Sequence, residues 1–158
     1  TLDDAESCLR DAEESASEIE LTEVAAEIKR LQAMIALERK EYDKATTLIE
    51  KSLAIAKEEQ QTIEMGACWR VYGEILSVKG LGDEAIVAFV RSVNILNGEF
   101  PLHCARTRVA WAKHYIREKR LIKAKELLDM AIQMLDALDA SKFVQQLKLL
   151  RKKIAVLI

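Results

Sequence analysis

One proline and five glycines in 158 residues, with aromatics at only 5%, leave little of what a turn-rich β protein is made from. Ala, Leu, Ile, Glu and Lys dominate instead, so an all-α protein is expected. The three cysteines, Cys8, Cys68 and Cys104, have no C-x-x-C spacing and leave one over, which argues against a disulfide framework or a zinc knuckle. A reducing, cytoplasmic setting is therefore expected. No apolar run approaches the roughly 20 residues a membrane span needs, and the opening TLDDAESC lacks the pattern of a signal peptide. The expectation is a soluble protein with no membrane partner. Half the residues are hydrophobic, enough at this length for one domain, 1–158, with its own core.

Catalytic and metal-binding signatures are missing too. There is no G-x-x-x-x-G-K-[ST], no G-x-G-x-x-G and no H-E-x-x-H. His103 and Cys104 are adjacent and His114 lies ten residues on, which does not put three ligands on one helical face. The acid-rich EESASEIELTE lacks the alternating Asp/Asn and the Gly of a calcium loop. Asp3-Asp4 and Glu13-Glu14 are neighbours, hence splayed around a helix, and form no dyad. No catalytic residue, metal site or cofactor is expected, and an enzyme is the class least favoured.

What is present is a repeat. Its clearest copy is Met65 to Ser92, MGACWRVYGEILSVKGLGDEAIVAFVRS, which reads as two antiparallel helices: Trp69, Tyr72, Gly73 and Leu76 recur at helical spacing, Gly80 and Gly82 interrupt, and Ala85, Phe89 and Ser92 resume in a new phase. Gly73 and Ala85 are small enough to let the two backbones approach, with Trp69 and Phe89 expected to fill the flanks. The small-x-x-x-large pair recurs as Ala5/Leu9, Ala45/Ile49 and Ala124/Leu128, giving steps of 40, 40 and 39 residues. Three more columns keep that phase: Leu2, Tyr42, Gly82 and Leu121; Ala12, Ser52, Ser92 and Ala131; and Ala33, Gly73 and Ala112 on the first helices.

Helices are expected at about 2–17, 22–40, 42–58, 61–79, 82–97, 101–118, 121–138 and 141–157. Thr22 and Ser141 read as N-caps, Pro101 as a first helical turn after an Asn97-Gly98 stop. The units are then 1–20 (a second helix alone), 22–58, 61–97, 101–138 and 141–158, the last a cap or the first helix of a further repeat. A segment cut from a longer protein is the expectation.

The spacing W-x-x-Y-G-x-x-L followed by A-x-x-x-F resembles the tetratricopeptide repeat. A period near 40 is more similar to the long variant in maltose-operon-activator-type regulators, peptide-sensing regulators and bacterial signal-transduction ATPases. The outer copies depart from the motif, with Lys29 and Arg108 where Trp69 stands and Leu9, Ile49 and Leu128 where Phe89 stands. The resemblance implies a right-handed α-solenoid of stacked antiparallel hairpins whose first helices line a concave face. It also implies that this face meets a partner, through Glu27, Arg30, Met34 and Leu37, then Arg70, Glu74 and Ser77, then Arg106, Lys113 and Arg117, with Lys148 and Lys152 further on. The carboxylate clamp of chaperone-binding members needs Asn on the first helices, and none lies there.

Charge is lopsided although the net is −2: residues 1–28 carry ten acids against Arg10 alone, and residues 101–158 carry thirteen bases against five acids. Nucleic-acid binding by that basic end is disfavoured by the overall acidity. The function expected is a protein-interaction or regulatory scaffold of a larger signalling or transcription-regulatory protein, holding a protein or peptide segment. The alternatives are a sensor of a small molecule or short peptide, and self-association joining acidic to basic ends.

Overall fold

A computed structural model describes residues 1–18, 21–138 and 141–158. Among them the chain is all-α: α1 (Leu2–Glu18), α2 (Ala25–Glu38), α3 (Tyr42–Glu58), α4 (Thr62–Val78), α5 (Gly82–Leu96), α6 (Pro101–Arg117), α7 (Leu121–Asp136) and α8 (Ser141–Ala155), with one 3-10 turn at Thr22–Val24. No described residue is in a strand. No helix of the described residues is long and apolar enough to cross a membrane. The end expected for the first unit, at residue 20, lies outside the described residues.

Helix ends follow from local chemistry. At Lys40, Gln60, Gly80 and Lys119 the backbone turns left-handed, with φ of 63°, 54°, 80° and 60°. In each case the next amide reaches back over the helix end: Glu41 N–H to Ala36 O, Gln61 to Ala56, Leu81 to Leu76 and Arg120 to Tyr115, at 2.8 to 3.0 Å. These bonds satisfy carbonyls a helix terminus otherwise leaves open. Only one of the four positions is a glycine. Asn97, at φ 40°, ends α5, and Pro101 opens α6 as expected.

Thr22 does not cap α2. The 3-10 turn absorbs it, with the Ala25 amide bonded to the Thr22 carbonyl, and α2 begins three residues later behind Val24, without a side-chain cap. The expected cap at Ser141 falls on a side chain outside the described set. A cap the sequence reading passed over is Thr1, whose Oγ1 accepts the Asp4 amide at 3.2 Å.

Packing follows the chain. α2 lies on α3, α4 on α5 and α6 on α7, and each pair meets the next through α3 with α4 and α5 with α6. The first helices also touch in succession, α2 with α4 and α4 with α6, whereas α3, α5 and α7 do not touch one another. α8 packs on α7 and makes no such contact with α6. Ala45, Ala85 and Ala124 are fully buried in the hairpins, as are Ile49, Phe89 and Leu128 one turn on. Gly73 lies under the Phe89 ring so closely that a Cβ there would sit 2.7 Å from it. Trp69 does not join that contact. It is half-buried, its ring 5.8 Å from Tyr72 and 4.6 Å below the Arg91 guanidinium. Trp111, by contrast, stacks on Phe89 at 6.2 Å.

Candidate binding groove

Helical periodicity places one face of α2, α4 and α6 toward a common space of about 560 Å3. Eight of the twelve residues expected to meet a partner line it: Met34 and Leu37 from α2; Arg70, Glu74 and Ser77 from α4; Arg106, Lys113 and Arg117 from α6. Phe89 of α5 and Phe143 of α8 also contribute, with Lys40 from the turn after α2 and Tyr42, the first residue of α3. These were missed because the reading looked along first helices only. The column that carries Tyr42 was visible, but its place at the mouth of a groove depends on the turn at Lys40.

Arg30 stands apart. Its Nε lies 2.5 Å from Glu64 Oε1 and its Nη2 3.3 Å from Oε2, a two-pronged pair, and Glu27 adds a contact at 3.6 Å. Only 11% of its side chain is exposed. Glu27 thus serves Arg30. Lys148 and Lys152 of α8 are exposed and lie outside the groove lining, Lys148 being 3.7 Å from Asp136.

The groove carries a surplus of positive charge. Lys40, Arg70, Arg106, Lys113 and Arg117 face only two carboxylates, Glu38 and Glu74. Arg70 is the enclosed one, with 13% of its side chain exposed. Its Nε is 3.7 Å from Glu74 Oε1, and no acceptor within the chain bonds that nitrogen among the described residues. Burial pushes the Arg70 pKa down, Arg30 and Arg106 push it the same way, and Glu74 and Glu64 oppose them. Glu74 is pushed up by burial, against the pull of Arg70, Lys113 and Arg117. His103 is pushed down, first by burial and then by Arg106, Arg70 and Arg30. Arg70 of α4 with Arg106 and Arg117 of α6 therefore builds a positive field along the groove.

Below the surface runs a chain of polar contacts. Arg117 Nη1 donates to Ser77 Oγ, which lies 2.8 Å from His114 Nδ1. His114 is 2% exposed, and its Nε2 is 3.7 Å from Glu118. Burial depresses the His114 pKa, Glu118 pulls it up, and Arg117 and Arg120 push it down. A Ser-His-carboxylate sequence invites comparison with a nucleophilic triad, but Ser77 and His114 lie within continuous helices whose amides are already bonded, so no backbone donors remain for an oxyanion. The cluster fixes Arg117 and ties α4 to α6.

Of the three cysteines Cys8 is exposed and the other two are closed to solvent. Burial pushes the Cys68 thiol up to about 12, and Cys104 is buried as well. No group of three or more His, Cys, Asp or Glu among the described residues is placed to hold a metal ion. No protein-family model matches the chain, and no curated protein matches its sequence.

Proposed function

We propose that the chain is a tetratricopeptide-like α-solenoid acting as a protein-interaction module of a larger signalling or transcription-regulatory protein, with a peptide or protein segment held in the groove of α2, α4 and α6. The observation that carries this reading is the asymmetry of contact: α2, α4 and α6 touch in succession while the backbones of α3, α5 and α7 stay apart. A stack so built curves toward its first helices, and the groove lies on the inside of the curve. Partner segments on such modules are read by side chains drawn from several repeats at once, which is how Arg70 and Arg106 are arranged here.

Binding by this route selects among conformations and involves no bond making. The test is selection from a random peptide library against the chain, repeated on a Lys113→Glu variant. Peptides that bind the first and not the second support the reading. Enrichment of none, or of peptides indifferent to groove substitutions, overturns it.

The volume of the groove, about 560 Å3, also suits a drug-sized molecule, which supports a small-molecule sensor as the second reading. End-to-end association has less support, because several acids of α1 are already paired within the chain: Asp3 and Glu6 on Arg39, and Glu13 on Lys29 at 2.5 Å.

A further inference from the structure

Resting on the groove reading above, we infer that the partner segment is anionic, and that Arg70 is the enclosed anchor for one of its acidic side chains while Arg106, Lys113 and Arg117 hold others along the groove. Three observations carry this. The first is the imbalance of five cations to two carboxylates in a chain whose net charge is −2, so the surplus is local. The second is how the cations are used. Among the described residues Arg106, Lys113 and Arg117 form no ion pair, whereas Arg30, one period before Arg70, is matched by Glu64 and Glu27.

The third observation is Arg70 itself. Its guanidinium is held among groove walls with an Nε that no acceptor bonds among the described residues. A buried donor without a partner destabilises the free protein, and an incoming oxygen removes that penalty. A planar guanidinium takes two oxygens of one carboxylate or phosphate side by side, while Lys113 acts as a point charge. Between the charges the walls are apolar, with Met34, Leu37, Val109 and Phe143. Such lining fits a segment that alternates acidic with large apolar residues, better than a uniformly charged polymer.

The experiment is fluorescence anisotropy with a labelled peptide of alternating Glu and Leu, compared with peptides in which Gln, Lys or phosphoserine replaces each Glu. The Glu peptide is expected to bind at least about tenfold tighter than the Gln peptide and to weaken with salt. Arg70→Gln and Lys113→Glu should each reduce its affinity by about tenfold. Lys51→Glu, on the exposed face of α3, makes the same charge change outside the groove and should have far less effect. If Arg70→Gln fails to fold by circular dichroism, Lys113→Glu carries the test.

Tighter binding of the phosphoserine peptide with the same Arg70 and Lys113 dependence supports the inference and names phosphate as the source of the anion. Equal binding of Glu and Gln peptides, both weakened by Lys113→Glu, overturns the anionic partner and spares the groove. Absence of binding by every peptide, or equal effects of Lys113→Glu and Lys51→Glu, overturns both.

Discussion

The junctions around α3 and α5 and the junction around α7 meet one packing requirement by different means. Ser52 and Ser92, one period apart and fully buried, each send a hydroxyl to a carbonyl of the preceding first helix, Ala26 at 2.6 Å and Gly66 at 2.7 Å. Each also meets the following first helix, Ser52 at Cys68 Sγ (3.0 Å) and Ser92 at Thr107 Oγ1 (2.8 Å). Ala131 holds the same column in α7 and has only a methyl group. There the space is closed by apolar residues, Leu127, Leu128 and Leu135 against Val144, Leu147 and Ile154. A buried hydroxyl adds little net stability but penalises every arrangement that leaves it unpaired, whereas apolar contact is strong and non-directional. The first two junctions are therefore specified in register, and the last is chiefly held by area.

The largest test of that contrast lies in the column common to both. Phe89→Ala should cost about 3–5 kcal/mol and Leu128→Ala about 2–5 kcal/mol in urea unfolding, since both side chains are fully buried. A loss under about 1 kcal/mol for Leu128→Ala would show that the apolar junction does not cohere as described.

Smaller effects separate the junctions themselves. Ser92→Ala should cost about 1 kcal/mol, because the Gly66 carbonyl loses its hydroxyl donor and Thr107 keeps only the His103 carbonyl, and Ser52→Ala should cost a similar amount, because the Ala26 carbonyl loses its hydroxyl donor. No loss in either variant, read by denaturant midpoint, would dissolve the distinction.

Acid should loosen the α4–α6 tie. The folded pKa of His114 lies below its ordinary value of 6.5, so its contribution is complete above pH 6.5 and is lost as pH falls through the folded value. Thermal melts of the chain should therefore drop between pH 7 and pH 5, and His114→Asn should flatten that part of the profile. A drop of equal size in His114→Asn would assign it to other groups.

The smallest expected effect concerns the turns. Gln60→Gly and Lys119→Gly should each raise stability by up to about 1 kcal/mol, since both side chains sit at positive φ without strand or helix bonds to lose. Gly80→Ala should lower it by a similar amount.

Helices and hairpins were legible because burial follows period: Ala45, Ala85 and Ala124 mark three turns of identical surroundings, and alanine in all three reports close backbones. The expected ends at 40, 58 and 118 fall within two residues of those observed, but the left-handed backbone at Lys40, Gln60 and Lys119 was not legible, since a left-handed lysine looks like any other until its neighbour's amide is seen bonding backwards. The Thr22 cap failed for a related reason, a 3-10 turn having taken up the amides first. In the groove, the family resemblance, carried along the repeat spacing, placed Arg70 and Arg106. It could not tell that Arg30 is matched by Glu64, because that pair spans 34 residues and depends on how α2 and α4 lie together. Nor does sequence separate Ser52, a tie between three helices, from the exposed serines of α1.

Because helices meet only their neighbours or the next but one, closing any contact among the described helices requires no more than about one repeat of chain to be gathered in. Proteins with such local contacts assemble quickly, without a slow search for distant partners. During synthesis α2 and α3 can pair while α6 is still unmade, each finished hairpin presenting the surface on which the next one settles. The order in which this molecule takes shape is then the order in which it is written.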